Sequence, residues 1–530
     1  MWLVYKSENG EEYSPGSWVE SNRGDWEYII DKHTMPHVLK VQQDGSFKFM
    51  PWDYWENRNV GDEETNPTPS FITSATANRF INDIFLYRNR LGFLSDDNVF
   101  LSRAGQFFDF FSKSAIATAN DDPIDISVST TKDVALHYTY QEAAGLVIFS
   151  ETSQYLLSTD SDLLAPTTAK INQLTGFTSE PTLPAVSLGS SIGFFTKTMG
   201  NTKFVSLMRV SAVEPPDYVE KTKTVPELLP RTVDTVIASP ILSLVAFGER
   251  SKDIVYFFNY YQVGDKEVTN TWYRWQLPGT LVEHFYDDNV YNAILKSGSS
   301  YYVTSFDVAQ SSTDGVLQLD SGTKTDVCLD VFYKNPFFDY EEFSGVNYVD
   351  RTKILIPYVP FSGKKFSVVI YGEQNTTFKN LDITTIGSDN FVYIPGDWRG
   401  YNMVLGYDYT MSVELPKFYV ISQTGENVSA DTNATVILNR IKVKTGLSGP
   451  IDYKVNIIGV PPRTQRVTVT PAQQYTANSV NISETGVHTV PIHQRNHNVT
   501  ITIEGTTPFP ATIESINWEG RYTTNFYRRS

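Results

Sequence analysis

The sequence predicts an all-β fold, an irregular β-propeller joined to a C-terminal antiparallel β-sandwich. Aromatic residues make up 14% of the chain, with 31 Tyr and 32 Phe, and such side chains suit pleated, half-buried surfaces better than helices. Apolar runs broken by polar turns recur at intervals of roughly 45 to 55 residues, the period of a propeller blade of four strands. Beyond residue 315 the predicted strands are longer and alternate more plainly, which favours an antiparallel sandwich or jelly roll.

Length predicts several domains, because 530 residues are too many for one hydrophobic core. Residues 1–78 are predicted to be an N-terminal strap and a partial blade. Residues 79–310 are predicted to hold the propeller-like repeats. Residues 311–530 are predicted to form the β-sandwich and end in a basic C-terminal tail.

The N-terminal part has the pattern of one short strand and one hairpin. Residues 2–5 form the apolar strand, and residues 37–42 and 46–50 flank an Asp-Gly turn. Residues 57–70 contain two prolines, which exclude a helix or a central strand, so they are predicted to be an extended strap. The hairpin is a candidate for part of a sixth blade.

The repeat is clearest at residues 79–111. Apolar runs at 84–87, 91–94 and 99–101 are separated by short polar segments, of which 95–98 reads Ser-Asp-Asp-Asn. These side chains hydrogen-bond their own backbone in tight turns, so the pattern predicts strand, turn and strand. The same pattern returns at 145–157, 192–205, 244–258 and 290–303, and one short helical turn is predicted within 217–229.

The C-terminal part reads as a series of strands separated by Gly, Pro and Asn at short intervals. The stretch 518–530 is basic at its end and is predicted to dock as a tail. The predicted strands are 326–333, 353–359, 366–371, 403–420, 434–443, 451–458, 465–470 and 499–503.

Charge and cysteine content exclude several classes of protein. The net charge of −17 disfavours a protein that grips nucleic acid, because phosphate binding needs clustered Lys and Arg. The one cysteine, Cys328, excludes intrachain disulfides, and its alternating surroundings predict a buried structural thiol. No apolar run reaches 18 residues and the start lacks a cleavage-site pattern, so neither a membrane span nor signal-dependent export is expected.

Motifs for catalysis or metal binding were sought and not found. The sialidase-type turn S-x-D-x-G-x-x-W and the phosphate loop do not occur, and no nucleophile elbow is expected. His488, His493 and His497 cluster, but strand alternation puts His488 and His493 on opposite faces and no cysteine completes the set. Alternation also separates Trp272 from Trp275, which favours core roles over sugar stacking. We therefore expect no enzyme, no cofactor and no metal.

Several segments carry a resemblance to a known family. They are TMPH at 34–37, GD at 61–62 with TNP at 65–67, INDIF at 81–85 with RNRLGFLS at 88–95, and DPIDISVS at 122–129. Later landmarks are VP at 225–226, LP at 229–230, WEG at 518–520 and RRS at 528–530. In this order and rough spacing they resemble the tail tubular protein B, or nozzle protein, family of T7-like podoviruses. The match is dense over residues 30–130 and sparse afterwards.

This resemblance implies a structural virion protein without catalytic residues. Six copies would ring a channel at the distal end of a short non-contractile tail, below an adaptor ring similar to tail tubular protein A and beside the tail fibres. It also implies assembly in the host cytoplasm, no stable membrane insertion, and a propeller joined to a platform-like β domain. Longer members carry an additional N-terminal part that this chain is expected to lack. DNA would pass through the lumen without being bound. The net negative charge of the chain suits a channel wall that repels DNA.

Basic residues near the C-terminus are the first candidates for an interface. Arg521, Arg528 and Arg529 are predicted to pair with an acidic face of a neighbouring tail protein. The alternative is a basic chain end that touches nothing, since termini commonly fray.

Two further arginines lie in the segment that resembles the family. Arg88 and Arg90 are candidates to face the lumen or a neighbouring subunit. Pairing within the chain to Asp83 or Asp96 is the favoured interpretation, because Arg–carboxylate pairs are common fasteners.

A second class of function stays open at this point. A propeller also suits a receptor-binding or glycan-degrading tail component that uses its loops. A zymogram on host envelope or peptidoglycan separates the two, because a conduit turns nothing over.

Overall fold

Antiparallel strands make up most of the fold. In this computed structural model 56% of the chain is strand, and the helical segments among the described residues are two 3-10 turns, Lys221–Thr224 and Asn496–Asn498. The all-β part of the predicted fold is confirmed. The described residues are 2–25, 29–72, 80–129, 134–208, 210, 214–263, 266–308, 316–318, 322–343, 349–361, 364–371, 376–381, 383–386, 389–424, 427–432, 434–467 and 482–523.

The chain divides into two compact units. The first comprises Met1–Leu277 and Leu281–Ala293, and the second comprises Pro278–Thr280 and Ile294–Ser530. The three predicted domains, 1–78, 79–310 and 311–530, stay a prediction.

Two separate hairpins come first in the first unit. β1 (Trp2–Ser7) pairs with β2 (Gly16–Ser21), and β3 (His37–Val41) pairs with β4 (Phe47–Pro51), both antiparallel. The second hairpin confirms the one predicted at residues 37–50. Strand β2 was missed by the sequence pattern, because it lies in a polar stretch. Residues 57–70 hold neither a helix nor a strand, as predicted for the strap.

Four sheets of four consecutive antiparallel strands follow. Each of the first four predicted repeats falls on neighbouring strands of one sheet, which confirms the hairpins as predicted. The strands are β5 (Asp83–Tyr87), β6 (Arg90–Ser95), β7 (Asn98–Leu101) and β8 (Ile124–Ser127); β9 (Leu136–Glu142), β10 (Gly145–Ser150), β11 (Gln154–Thr159) and β12 (Ala169–Thr175); β13 (Val186–Ser187), β14 (Ser191–Lys197), β15 (Thr202–Met208) and β16 (Asp217–Glu220); and β17 (Thr235–Ser239), β18 (Leu244–Gly248), β19 (Ile254–Val263) and β20 (Lys266–Gln276).

The fifth predicted repeat, residues 290–303, contains the boundary between the two compact units, which falls between Ala293 and Ile294. Its hairpin at residues 290–303 corresponds to two long strands. The strands of this stretch are β21 (Thr280–Asp287), β22 (Val290–Ser297) and β23 (Ser300–Asp307).

The first sheet shows why these sequences form hairpins. Phe93 pairs with Phe100 and Leu94 with Val99, so successive buried side chains fill both faces of the sheet. Between the strands Asp96 has a φ of 52°, a left-handed conformation that Asp adopts more readily than most residues. The polar turn therefore closes the hairpin, and the apolar runs on either side cover the core.

Apolar clusters join each four-stranded sheet to the next. One cluster combines side chains of β5–β8 with side chains of β9–β11, and a second joins β9–β11 to β14 and β15. In the second, the ring centroids of Phe149 and Phe194 lie 5.7 Å apart. A third joins β13–β15 to β17–β19, where Phe204 and Phe247 meet edge to face at 5.2 Å. The four four-stranded sheets therefore pack against one another in chain order.

The second unit contains four larger sheets. Their strand orders are β26-β33-β29-β30, β27-β28-β32-β31, β34-β41-β38-β39 and β40-β37-β42, and two-stranded pairs are β24-β25 and β35-β36. The strands are β24 (Leu317–Gln318), β25 (Lys324–Thr325), β26 (Asp330–Lys334), β27 (Phe338–Phe343), β28 (Val349–Leu355), β29 (Phe366–Tyr371), β30 (Thr376–Leu381), β31 (Ile383–Ile386), β32 (Asp389–Pro395), β33 (Asn402–Tyr407), β34 (Met411–Glu414), β35 (Ile421–Thr424), β36 (Asn427–Ala430), β37 (Thr435–Ser448), β38 (Ile451–Ile457), β39 (Arg463–Val467), β40 (Gly486–Arg495), β41 (Val499–Gly505) and β42 (Ala511–Thr523).

One apolar cluster covers the last two of these sheets. It combines Val443 of β37 and Val490 of β40 with Tyr453 of β38 and Ile503 of β41, all of them fully buried. Alternation along β37 puts Val436 and Leu438 into this cluster and, after a register shift between Leu438 and Arg440, Ile441 and Val443. The same alternation underlies the predicted strands 434–443, 451–458 and 499–503, which the structure confirms.

Two predicted segments of the second unit differ from the structure. Residues 403–420 were expected as one strand, but they form β33 and β34, and the chain leaves the first sheet at Asp408, whose N–H donates to the Lys365 carbonyl. Residues 518–523 were expected to begin a tail, but they complete the 13-residue strand β42. The physical reason is pairing with β37, where Trp518 lies opposite Ile441.

Candidate functional site

Two of the arginines predicted as interface candidates lie at one tight turn, Arg88 within it and Arg90 directly after it. Arg88 and Asn89 connect β5 to β6 with φ values of 45° and 61°, the two positive values that a two-residue hairpin turn requires. This turn leaves Arg88 exposed, with its guanidinium 5.7 Å from the centre of the Tyr87 ring. Arg90 points the other way and is 1% exposed.

Arg90 is a buried cation bound by backbone carbonyls. Its Nη1 donates to the carbonyls of Ser102 and Asp122 at 2.7 and 2.6 Å and, at 3.4 Å, to Asp121. Its Nη2 donates to the carbonyls of Asn120 and Leu164 at 2.9 and 3.3 Å. Burial lowers the pKa of Arg90. Five carbonyls therefore replace water around this charge and tie β6 to two loops.

The prediction that Arg88 or Arg90 pairs with Asp83 or Asp96 is wrong. Asp83 accepts instead from the backbone N–H and the hydroxyl of Thr139, at 2.8 and 2.9 Å, which joins β5 to β9. Burial raises the pKa of Asp83. No hydrogen bond of Arg88 or Arg90 to Asp83 or Asp96 occurs among the described residues. An interface role stays a prediction for Arg88, the exposed member of the pair.

A second arginine fastens the same loop. Arg103 bonds to Asp109 at 2.6 Å and to Asp121 at 2.9 Å, and Lys113 bonds to the same Asp121 oxygen at 2.9 Å. The hydrogen bonds from Lys113 and Arg103 lower the pKa of Asp121 to about 2. Asp122 accepts from the backbone N–H groups of Lys113 and Ala119. The loop of residues 102–122 is thus closed by charge pairs, which spacing alone did not indicate.

An open recess of about 670 Å³ lies beside these groups. It is lined by Arg88, Arg90, Ala104, Asn120, Asp121, Ser161, Asp162, Leu163 and Leu164. The guanidinium of Arg90 is bound to carbonyls and the Asp121 carboxylate is bound to Lys113 and Arg103. These charges therefore hold the fold together instead of converging on a ligand.

The strap is also fastened by a buried cation, Arg58, which the sequence analysis missed. Arg58 is 1% exposed, donates to the Thr68 hydroxyl and lies 4.9 Å from the centre of the Phe111 ring. Burial lowers its pKa, although Glu63 opposes this, 3.7 Å away. No periodic pattern surrounds Arg58, so the sequence carried no signal for its burial.

The C-terminal candidates divide between described and undescribed residues. Arg521 is exposed on β42, opposite Ile437 of β37. Nearby, Glu519 forms ion pairs with Arg440 and Lys442, so this part of the predicted tail is a strand. Arg528 and Arg529 lie outside the described residues. The predicted pairing with a neighbouring tail protein stays a prediction.

The residues considered for metal or sugar binding are dispersed. His488 is buried and its Nδ1 lies 2.8 Å from the Tyr453 hydroxyl, whereas His493 is exposed at a φ of 53°, which confirms opposite faces. Trp272 packs on Phe247 and Trp275 on the other face of the sheet. In the part of the chain that the structure describes, no three His, Cys, Asp or Glu side chains are grouped to hold a metal ion.

Two further observations concern the thiol of Cys328 and membrane-spanning helices. Cys328 is half-buried, and burial raises the pKa of its thiol. Within the described residues, no helix has the length and apolar character to cross a membrane.

Comparison with known proteins identifies the class. A family model described as bacteriophage nozzle protein matches residues 1–529. The tail tubular protein gp12 of Escherichia phage T7 is 29% identical over 529 residues, which is 95% of this chain and 63% of that protein. The chain thus spans about 63% of the length of this relative. Both matches are to phage proteins, a nozzle protein family and a tail tubular protein, so the class is that of phage tail proteins.

The family follows from the extent of the match: the chain belongs to the bacteriophage nozzle protein family. This confirms the resemblance carried by the motifs at residues 34–37, 61–67, 81–95 and 122–129. Two solved structures of an exo-β-1,3-galactanase from Phanerochaete chrysosporium are 10% and 11% identical, cover 83% and 72% of this chain and 99% and 95% of theirs, and have TM-scores of 0.19 and 0.17. That likeness is too low to carry an argument about fold or activity.

Proposed function

We propose that this chain is a subunit of the tail nozzle, a ring-shaped channel at the distal end of a short non-contractile tail through which DNA is ejected. The observation that carries the proposal is the match of the nozzle family to residues 1–529. The contacts of the buried arginines agree with a structural role. Arg58 lies over the Phe111 ring and Arg90 donates to the Asp122 carbonyl, so both bind groups of their own chain.

The architecture proposed for this subunit is an irregular propeller joined to a β-sandwich or platform-like domain. Support for the propeller comes from four consecutive four-stranded sheets, each joined to the next by an apolar cluster. Support for the sandwich comes from one cluster that covers two sheets of the second unit. The proposed domains are residues 1–78, 79–310 and 311–530.

The proposed assembly is a homohexamer that contacts an adaptor ring and the tail fibres of a T7-like podovirus. A closed ring needs two complementary surfaces on each subunit and no ligand pocket. The net charge of −17 suits a wall along which DNA slides, because like charges repel and a basic wall would retain the DNA. Assembly is proposed to take place in the host cytoplasm.

Mass measurement combined with negative-stain imaging tests the proposal. The purified chain, alone or with the adaptor protein, is expected to form particles with six-fold symmetry and a central opening. A zymogram on host envelope and peptidoglycan is expected to show no turnover. Turnover by a monomer would instead support a receptor-binding or glycan-degrading tail component.

A further inference from the structure

The β3–β4 hairpin carries an apolar face that its own chain leaves open. In the antiparallel register Leu39 lies opposite Phe49 and Val41 lies opposite Phe47, so the four side chains share one face. They are exposed by 63%, 70%, 61% and 67%, respectively. Single exposed apolar residues are ordinary, but a contiguous apolar face on paired strands is typical of an interaction site.

The base of this hairpin is held firmly by the first unit. Met35, just before β3, and Trp55, just after β4, are 5% and 8% exposed and belong to one aromatic cluster with Phe93 of β6. Lys32 and Asp53, in the two flanking segments, form an ion pair at 2.5 Å. A two-stranded hairpin is marginally stable by itself. The buried base therefore supports an element whose far end projects without cover.

The far end of the hairpin is also ordered. The Gln42 N–H donates to the Ser46 carbonyl at 2.7 Å, and the Ser46 N–H donates to the Asp44 carboxylate at 2.9 Å. Gly45 supplies the positive φ, 80°, that the turn needs. The apolar face is therefore preorganised, and docking costs little conformational entropy.

The opposite face of the hairpin indicates the charge of its partner. Lys40 and Lys48 lie directly opposite each other, an unfavourable pairing that Asp53 of the same chain offsets in part through its attraction to Lys48. Both lysines are exposed. A chain with a net charge of −17 presents many acidic groups to a neighbouring copy. Charge complementarity therefore points to a second copy of this chain.

We propose that the β3–β4 hairpin inserts into a groove of a second copy of this chain, with Leu39, Val41, Phe47 and Phe49 against an apolar wall and the two lysines against an acidic rim. The inference rests on the proposed ring and names its contact. Heterologous contacts that close a ring need a projecting element on one side of the subunit and a receiving surface on the other. The hairpin supplies the projecting element.

The test compares two substitutions at equally exposed positions. Leu39→Glu places a charge on the apolar face and is expected to raise the concentration for half-assembly at least about tenfold, because the carboxylate would be buried without a partner. Ile421→Glu, at a residue 66% exposed on the separate two-stranded pair β35–β36, is expected to assemble like the wild type. Sedimentation velocity gives the assembly state, and thermal melting shows that both variants fold.

Two further measurements make the outcome decisive. Hydrogen exchange of residues 38–50 is expected to slow when the wild type assembles and to stay fast in Leu39→Glu. Lys40→Glu is expected to weaken assembly more at low salt than at high salt. Normal assembly of Leu39→Glu, equal losses in both variants, or loss only of binding to a different tail protein would overturn the hairpin contact. A wild type that stays monomeric would overturn the ring itself, and with it the proposed function.

Discussion

Arg90 shows how a residue that looks like an interface candidate can be a structural cation. A guanidinium offers five N–H donors in a planar fork, and at Arg90 the described bonds reach five carbonyl oxygens from two loops. An ammonium has three donors on a flexible stem and cannot reach all of these oxygens. The guanidinium of Arg90 thus donates to the carbonyls of the buried residues Ser102, Asp122 and Leu164, while the Asp121 carbonyl also accepts from the Ala104 N–H.

The first prediction uses the same substitution at two neighbouring positions. Arg90→Lys is expected to lower the free energy of unfolding by about 2 kcal/mol, because several buried carbonyls lose their donor. Arg88→Lys, at the exposed side of the same turn, is expected to change it by less than about 0.5 kcal/mol. Urea unfolding followed by tryptophan fluorescence measures both. Equal midpoints for the two variants would contradict the role of Arg90.

His284 links the stability of the first unit to pH. The imidazole is 2% exposed and its Nδ1 lies 3.0 Å from the Tyr291 hydroxyl. Its Nε2 is buried and has no hydrogen-bond partner among the described residues. Burial lowers the pKa of His284 to about 4. The folded protein therefore holds this histidine neutral, whereas the unfolded chain protonates it near pH 6.5.

The second prediction follows from this difference. Between about pH 6.5 and 4 the unfolded chain binds more protons at this site, so the free energy of unfolding falls as pH falls, by on the order of 3 kcal/mol in total. His284→Gln is expected to remove this part of the slope, whereas His33→Gln, at an exposed residue, is expected to leave it. Asp330, whose pKa burial raises to about 6, works in the opposite direction, so the variant is compared with wild type at each pH. An unchanged slope in His284→Gln would contradict the burial of a neutral imidazole.

At the scale of elements, local pattern predicted the hairpins and missed the strands that depend on distant partners. Residues 91–101 and 145–157 combine apolar runs with a turn, and both occur as predicted. Strand β2 is polar and β42 holds charged residues, so each is recognisable only from the strand that pairs with it. Tertiary pairing decides such segments, because strand propensity depends on cross-strand neighbours.

The candidate site was less predictable than the fold. The turn chemistry that exposes Arg88 and buries Arg90 was present in the sequence, but a hydrogen bond to a carbonyl has no sequence signature. Arg103 and Asp121, 18 residues apart, meet because a loop returns to the sheet. The exposed hairpin β3–β4 was predicted as a strand pair, and only the structure shows that its apolar face is uncovered.

At the scale of the whole molecule, charge separates a conduit from a nucleic-acid-binding protein. Lysine and arginine number 43 against 60 aspartates and glutamates. Three arginines, Arg58, Arg90 and Arg103, are buried by the chain itself, so they do not contribute to a basic surface. A DNA duplex beside this chain would therefore meet a predominantly acidic protein.

The third prediction concerns the response of this charge to salt. A protein that binds DNA through phosphates gains affinity as salt is lowered, by about 10³ to 10⁵ between 200 and 50 mM for six to ten contacts. The acidic chain is expected to gain no affinity for DNA as salt is lowered, because the longer screening length at low salt strengthens the repulsion between like charges. Fluorescence anisotropy of a labelled DNA duplex should then stay at the free value at both salt concentrations, with a basic DNA-binding protein as positive control. An anisotropy that rises as salt is lowered would mean that the chain presents a basic groove to DNA, and a repelling wall would no longer describe it.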